Sequence, residues 1–320
     1  MNDPIFIIGL PRSGSTLWHN IIAKNENICR IGEMHFLTPW RKDFRHFCKK
    51  YVGNLKVNTN IKKMVDLIFS QETIPGLSAW FWNAELQSIS SNPLKEKIYL
   101  EILASDRSLG SIFKILIEKI TACRGFNRCC VKFPVYPSHI SQLLQWYPQC
   151  KIVHITRDPR ATSISRTNDP GGTQQLIRKY PRMTFLIRKI MICFVVVQYH
   201  WTSQLHCKYK DIDNYALFLY EDLLADPEKI IKKLCDFIEI DFDKKMLEPE
   251  KAQESSVTGR RAIGFDKKAA TRWETIISPF DKWLITMLTK KSMKKFGYAP
   301  NNAAISPKEK INGTRSAYRE

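Results

Sequence analysis

The chain has 320 residues, which is long enough to bury a full hydrophobic core in one or two domains. Its contents of 44% hydrophobic and 25% charged residues are those of an ordinary soluble globular protein. The net charge of +19 is divided almost equally between the two halves of the chain, and no DNA- or RNA-reading motif accompanies it. This excludes a specific nucleic-acid-binding tail. The positive charge favours a nucleotide, an acidic acceptor or an anionic membrane surface as partner.

The first predicted element is a buried β-strand from Pro4 to Ile8, which enters a Gly/Ser loop over 9–16 before a helical pattern begins at Leu17. In this order, the backbone N–H groups of the loop and the positive end of the helix point at one anion. The loop fits a Walker A motif except that Ser15 replaces the lysine, and the nearby cation is Arg12. It therefore predicts a phosphate site, but not that of an ordinary triphosphate.

Strand and helix patterns alternate along the rest of the chain, and this predicts an α/β fold around a mainly parallel sheet. The predicted strands of this part are Cys129 to Phe133, Cys150 to Thr156 and Tyr215 to Tyr220. Helices are predicted over most of 36–125, from His139 to Trp146, over 183–207, after Asp226-Pro227 and over 270–296. The stretch 253–268 is predicted to be irregular. Residues 1–298 form one predicted domain, and the polar tail 299–320 is expected to be disordered.

The nine cysteines are odd in number and include no Cys-x-x-Cys pair, which predicts reduced thiols and argues against zinc. The first strand begins almost at Met1, so no signal peptide is expected, and we predict a cytoplasmic protein. The most hydrophobic segment, Ile190 to Val197, is too short to span a bilayer and is predicted to be a buried helix. A peripheral contact with a membrane stays open.

A second anion site is predicted where the strand that ends at Thr156 meets the next helix. Arg157 stands at the end of this strand, and Ser165 follows two turns into the helix. Ligands of open parallel sheets bind outside the carboxyl ends of the strands, so two such sites suit a nucleotide with phosphates at its 3′ and 5′ ends. The simpler interpretation is an Arg–Asp pair that caps the helix.

With both sites in view, the chain resembles the sulfotransferases that use 3′-phosphoadenylyl sulfate (PAPS). The segment 11–17, Pro-Arg-Ser-Gly-Ser-Thr-Leu, is similar to the family's 5′-phosphosulfate loop, and Arg157 with Ser165 is similar to its 3′-phosphate motif. Further similarities are Lys132-Phe-Pro, Leu219-Tyr-Glu-Asp-Leu and Phe296-Gly-Tyr. The resemblance implies a single α/β domain with the P-loop NTPase-like sulfotransferase fold. The C-terminal motif of many small-molecule sulfotransferases is absent, so the chain is more similar to the bacterial and protein-tyrosine branch.

The resemblance implies PAPS as co-substrate, 3′,5′-bisphosphoadenosine (PAP) as product and no requirement for a metal. The implied cofactor contacts are Arg12, Ser13, Gly14, Ser15, Thr16, Leu17, Lys132, Arg157, Ser165, Tyr220, Ser256, Arg260 and Lys267. Arg12 and Lys132 are also expected to neutralise the leaving phosphate. The acceptor is a small molecule, lipid, saccharide or peptide, and the sequence does not choose among them.

An acceptor hydroxyl needs a general base, and Glu33 is the predicted one. Gly32-Glu33 resembles the Gly-Glu that supplies the base in protein-tyrosine sulfotransferases, and a carboxylate in a closed site has a raised pKa that suits proton abstraction. His35 is the rival base. The small-molecule branch takes its base from a His beside the lysine, but here the neighbour of Lys132 is Phe133.

Two other functions compete with a sulfotransferase. A P-loop nucleotide or small-molecule kinase is suggested by the loop and by Glu221 and Asp222, which resemble the end of a Walker B strand, but Ser15 argues against it. We interpret these two carboxylates as structural. A non-catalytic protein that binds anions or a membrane surface is suggested by the net charge, which does not by itself require two ordered nucleotide motifs.

Overall fold

The computed structural model describes residues 2–33, 36–37, 43–70, 89, 91–133, 139–248, 253–254, 261–262 and 265–299, with the backbone alone at 33, 133, 253–254 and 261–262. Its centre is a five-stranded parallel sheet in the order β2-β3-β1-β4-β5. The strands are β1 (Ile5–Gly9), β2 (Ile28–Glu33), β3 (Arg128–Phe133), β4 (Lys151–Thr156) and β5 (Tyr215–Leu219). This confirms the α/β fold with a mainly parallel sheet.

Helices cover both faces of the sheet, which is why its central strands are nearly continuous apolar runs. One face packs against α1 (Ser15–Ile22), α10 (Tyr220–Ala225) and α11 (Pro227–Ile238). The other packs against α2 (Phe44–Phe47) with a π-helical turn (Cys48–Val52), α3 (Asn58–Phe69), α4 (Asn92–Ala104), α5 (Leu109–Cys123) and α6 (Ile140–Trp146). Successive side chains of β1 divide between the two faces, with Phe6 and Ile8 on one and Ile5 and Ile7 on the other.

A third group of helices lies at the β5 side of the molecule. It comprises α7 (Pro159–Thr167), α8 (Thr173–Lys179), a 3₁₀ turn (Pro181–Met183), α9 (Thr184–Tyr209) and α12 (Pro279–Lys295). Buried contacts among Ile164, Ile192 and Ile285 join α7, α9 and α12. The remaining short elements are 3₁₀ turns at Lys244–Leu247, Lys267–Ala270 and Arg272–Thr275 and a two-stranded ladder of β6 (Gln253–Glu254) and β7 (Arg261–Ala262).

The predicted helix over 270–296 is wrong in its first part. Two 3₁₀ turns occupy 267–275, and α12 begins only at Pro279. Ser278 caps this helix by accepting a hydrogen bond from the N–H of Asp281, and Pro279 occupies the first helical position. Because a residue before proline avoids helical dihedral angles, the sequence Ser-Pro starts a new helix and does not continue one.

The prediction of a helix at 190–197 is confirmed, but the helix is only partly buried. The segment belongs to the 26-residue α9, and Ile190 and Val197 are exposed while Ile192 and Val195 are buried. Within the described part of the chain, Pro181–Tyr209 is one segment long and apolar enough to cross a membrane by length and composition, with 22% of its most apolar stretch buried. Helices α7 and α12 cover only one side of α9, so the apolar side chains on its other side stay exposed.

Candidate active site

The predicted phosphate loop connects β1 to α1 and is held in a shape that depends on left-handed backbone. Arg12 has φ of 74° and Gly14 has φ of 92°, and no side chain caps the start of α1 at Gly14. A Cβ atom at Gly14 would lie 2.3 Å from the ring of Tyr220, so only glycine fits between loop and ring. The helix start is therefore open towards an anion, as a phosphate loop requires.

Lys132 provides a cation beside this loop from the neighbouring strand. It lies at the carboxyl end of β3, opposite Ile7 of β1, and its Nζ donates a hydrogen bond to Oγ1 of Thr16 at 2.9 Å. The side chain is buried, with an exposed fraction of 7%. A buried ammonium group therefore reaches the first turn of α1, in a loop that has Ser15 in place of the Walker lysine.

Arg157 brings a second cation to the same edge from β4. Its guanidinium carbon lies 4.4 Å above the centroid of the Tyr220 ring, a cation–π contact. Its two terminal nitrogens donate hydrogen bonds to the carbonyl of Ala269 at 2.7 Å and to the carbonyl of Arg12 at 3.4 Å. The ring of Tyr220 thus lies between Gly14 of the loop and Arg157 and packs against both.

The two predicted anion motifs meet through the side chain of Arg12. Its Nε donates a hydrogen bond to Oγ of Ser165 at 3.1 Å, although 153 residues separate the two in sequence. Burial lowers the pKa of Arg12, opposed by Asp169, whose carboxylate lies 4.0 Å away, while Arg157 lowers it further. Three cations on β3, the loop and β4 therefore surround one space at the carboxyl edge of the sheet, and this space is suited to a polyanion.

Buried carboxylates hold the Arg157 segment in place. Asp158 caps α7 and forms a buried ion pair with Arg160 at 2.6 Å, so the helix-capping interpretation is correct for this pair but not for Arg157. Glu221 accepts hydrogen bonds from the N–H of Asp158 at 3.0 Å and from the hydroxyl of Tyr298 at 2.6 Å. Burial raises the pKa of Glu221. The structural role predicted for Glu221 is confirmed, and its link to Tyr298 is a contact that sequence reasoning missed.

The backbone places Glu33 next to Lys132. The β2–β3 register shifts at Gly32, so that Glu33 and not Gly32 lies opposite Lys132. Such bulges occur frequently next to active sites, where they redirect side chains. The side chain of Glu33 and all of His35, Ser256 and Arg260 lie outside the described residues.

The remaining predicted contacts differ in the surroundings of their side chains. Leu17 belongs to the core under α1, and its backbone N–H donates a hydrogen bond to the carbonyl of Gly14 at 2.9 Å, so its place in the site is to close the first turn of the helix. Lys267 is exposed in the 3₁₀ turn that also contains Ala269, the acceptor of the Arg157 hydrogen bond. Ser13 is buried, and its Oγ has no hydrogen-bond partner within the described structure; the same holds for Nε of Arg157. These two donors fit a ligand rich in phosphate oxygens.

Comparison with known proteins identifies this arrangement. A sequence profile of the sulfotransferase family matches residues 4–244, which include the loop, Lys132 and Arg157 with Ser165. The chain belongs to the sulfotransferase family. The sulfotransferase domain of the Synechococcus PCC 7002 olefin synthase has the same fold, with a TM-score of 0.56 and 20% identity over 93% of this chain and 95% of that domain.

Two relatives of this chain are longer than it. It is 24% identical to the omega-hydroxy-beta-dihydromenaquinone-9 sulfotransferase Stf3 of Mycobacterium tuberculosis over 76% of its own length and 64% of the relative. It is 21% identical to an uncharacterized protein of Aquifex aeolicus over 77% of its own length and 26% of that protein. The chain therefore spans just under two thirds of the mycobacterial relative and about a quarter of the Aquifex protein. Among its described residues, no group of three or more His, Cys, Asp or Glu side chains is placed to hold a metal ion.

Proposed function

We propose that this sulfotransferase takes the sulfuryl group of PAPS and transfers it to an acceptor hydroxyl or amine, releasing PAP. The hydrogen bond between Arg12 and Ser165 carries the proposal, because it joins the two anion motifs into one site. A nucleotide with phosphates at both its 3′ and 5′ ends matches two adjacent anion sites better than a triphosphate does. The lysine of β3, in place of a Walker lysine, supports the same choice.

The residues divide by the phosphate that each would contact. The N–H groups of Gly14, Ser15 and Thr16 and the hydroxyl of Ser13 would bind the 5′-phosphosulfate together with Arg12 and Lys132, and Leu17 would support this turn from the core. Arg157 and Ser165 would bind the 3′-phosphate. Tyr220 would support the adenine side of the site, and Ser256, Arg260 and Lys267 would contribute further contacts with the nucleotide.

In the transfer itself, the sulfur–oxygen bond to the 5′-phosphate breaks and a bond from sulfur to the acceptor oxygen forms on the opposite side. Negative charge develops on the leaving phosphate oxygen, and Arg12 and Lys132 stabilise it there. Positioning of donor and acceptor in line supplies the remaining acceleration. The reaction as proposed uses these cations and requires no metal ion.

Glu33 is the proposed general base, which takes the proton of the acceptor hydroxyl as the new bond forms. Its place at the carboxyl end of β2, opposite Lys132, puts its backbone at the reacting edge of the sheet. Proton abstraction by a positioned carboxylate contributes roughly 10²–10⁴-fold to the rate. His35 is the alternative base, two residues further along.

The acceptor is proposed to be a small molecule, lipid, saccharide or peptide. The name of the mycobacterial relative describes a lipid-soluble quinone acceptor, which makes a lipid hydroxyl the first class to test. A cytoplasmic location, where PAPS and reduced thiols coexist, stays a prediction. All nine cysteines are free thiols in the structure.

Thermal denaturation with added nucleotides tests the donor assignment. We expect PAP to raise the melting temperature strongly in the presence of a metal chelator and ATP to raise it weakly with or without Mg²⁺. A ligand present at 100 times its Kd stabilises the folded state by about 2.7 kcal/mol, which gives a shift of a few degrees for a domain of this size. A larger shift with ATP and Mg²⁺ than with PAP would contradict the proposal and favour the kinase.

A further inference from the structure

Exposed apolar side chains of this protein are concentrated on one small part of its surface. Among the described residues, fifteen large hydrophobic side chains are exposed, and thirteen of them lie within 176–201 and 276–288. They are Leu176, Tyr180, Met183, Phe185, Leu186, Ile190, Val197, Trp201, Ile276, Phe280, Trp283, Met287 and Leu288. Exposed hydrophobic residues scattered singly are normal, whereas such a concentration marks an interaction surface.

On α9 these residues follow the period of the helix. Leu186, Ile190, Val197 and Trp201 are separated by four, seven and four residues, so they lie along one side of the helix. Cys193 is exposed on the same line. At 1.5 Å per residue this stripe is about 22 Å long. The opposite side of α9 carries its buried residues and packs into the domain.

A second stripe on α12 lies beside the first. Contacts of Lys189 with Asp281 and of His200 with Ser292 show that the two helices run parallel. The rings of Phe280 and Trp283 lie 6.0 Å apart at the start of α12. We call the exposed apolar residues of α9 and α12 together the apolar face.

The ammonium group of Lys189 connects the two stripes. It lies 5.1 Å from the ring centroid of Phe185 on α9 and 5.0 Å from that of Phe280 on α12. The exposed fractions of these two rings are 74% and 57%, so both project into solvent. Aromatic rings beside lysine stems are a composition that suits the boundary between water and lipid.

The charge around the apolar face is mostly positive. The sequence from Pro170 to Lys210 contains no Asp or Glu, and five cations precede or enter the first two turns of α9: Arg178, Lys179, Arg182, Arg188 and Lys189. On the α12 side, Asp281 is paired with Lys189, and Glu274 precedes the helix. Two copies of such a cationic face repel one another, whereas a negatively charged surface attracts it.

We propose that the apolar face docks on the surface of a membrane rich in anionic phospholipids. The stripes and the aromatic rings enter the headgroup region, and the flanking Lys and Arg side chains contact lipid phosphates. The protein lies on the membrane and does not span it, because the inner side of α9 carries buried contacts with α7 and α12. This proposal concerns a surface apart from the nucleotide site and does not depend on the proposed reaction.

Co-sedimentation of the full chain with lipid vesicles tests the docking. We expect binding to vesicles of phosphatidylcholine with phosphatidylglycerol, weak binding to phosphatidylcholine alone, and release by high salt. Replacing Ile190, Val197 and Trp283 together by Ser should lower the bound fraction at least tenfold. The matched control Val57→Ser/Leu100→Ser changes exposed hydrophobic residues elsewhere and should bind like the parent.

The double variant Arg182→Glu/Arg188→Glu examines the electrostatic part. Each basic residue near such a surface contributes about 1 kcal/mol, so loss of two corresponds to about a thirtyfold weaker vesicle affinity. An environment-sensitive fluorophore attached to Cys193 should shift to the blue with anionic vesicles, and one attached to Cys123, at the end of α5, should not. Both thiols are exposed, so single-cysteine variants provide a matched pair.

Several results would overturn the proposal. These are equal binding by the Ser variant and the parent, equal binding to neutral and anionic vesicles, or equal fluorescence shifts at both cysteines. A dimer in light scattering that the Ser substitutions convert to a monomer would assign the face to a second copy. Retention on vesicles after washing with high salt and alkaline carbonate would indicate insertion across the bilayer. PAP binding, measured in parallel, reports separately on the nucleotide site.

Discussion

Replacement of Arg157 by Ala separates binding of the 3′-phosphate from support of the fold. In the proposed complex the guanidinium would make charge-assisted hydrogen bonds with the 3′-phosphate, and bonds of this kind contribute about 1.5–3 kcal/mol, so its loss should weaken PAP binding by about 10- to 150-fold. Adenosine 5′-phosphate lacks the 3′-phosphate and should lose much less affinity. The ratio of the two dissociation constants, measured by titration calorimetry, is therefore the informative quantity.

The same substitution also removes two structural contacts, and their cost has to be measured separately. Arg157 lies 4.4 Å above the Tyr220 ring and donates to the carbonyl of Ala269. A cation–π contact of this kind contributes about 0.5–2 kcal/mol, so we expect a lower melting temperature for the unliganded variant. Arg157→Lys keeps the charge without the planar stacking and should fall between Ala and the parent in PAP affinity.

Arg178→Ala, which removes one exposed positive charge from α8, controls for the general field of the protein. It should change neither the PAP affinity nor the ratio between the two ligands. If Arg157→Ala weakened PAP and adenosine 5′-phosphate by the same factor, Arg157 would hold the site together and not contact the 3′-phosphate. The assignment of the second motif would then be refuted.

Three further predictions concern the base, the loop and the core. Glu33→Gln should keep PAP affinity and lower turnover at saturating PAPS by roughly 10²–10⁴-fold, whereas His35→Ala should cost far less; parental turnover in the Gln variant would transfer the role to His35. Gly14→Ala should abolish PAP binding, because its Cβ would lie 2.3 Å from the ring of Tyr220 at a φ of 92°, and parental affinity would contradict the loop geometry. Burial lowers the pKa of His154 from 6.5 to about 3, so its stabilising effect is complete above about pH 6.5 and declines as the pH falls towards 3. At about pH 5 this corresponds to about 2 kcal/mol, and urea unfolding of His154→Gln should show a correspondingly smaller loss of stability between pH 7 and pH 5 than the parent; equal losses would contradict it.

The strands β1, β3, β4 and β5 and both anion motifs could be predicted because each has a local signal, whereas the edge strand β2 was not predicted. A strand followed by Gly and Ser, and an Asp-Pro pair that caps and starts α7, depend on backbone preferences within a few residues. The contact of Arg12 with Ser165 has no such signal. It follows from the order of strands, which places β1 beside β4 and thereby brings two distant segments to one edge.

The exposure of α9 could not be predicted for a related reason. An apolar run such as Ile190 to Val197 shows that a helix has apolar side chains on more than one side, but it does not show which elements cover each side. In the structure α7 and α12 cover the side with Ile192, and the second apolar side stays exposed. The hydrogen bond from Tyr298 to Glu221 is another tertiary contact, between the segment that follows α12 and helix α10, that no local pattern indicates.

The placement of the cations explains how a phosphate loop without a Walker lysine would serve the proposed sulfuryl transfer. A lysine at Ser15 would hold β- and γ-phosphates in a row along the loop. Here Lys132, Arg12 and Arg157 approach from β3, the loop and β4, so positive charge surrounds the space from three directions. A donor with one phosphosulfate arm and one separate 3′-phosphate needs that distribution, since its charge is branched and not linear. Sequential removal of the three cations should therefore weaken PAP more steeply than it weakens ATP.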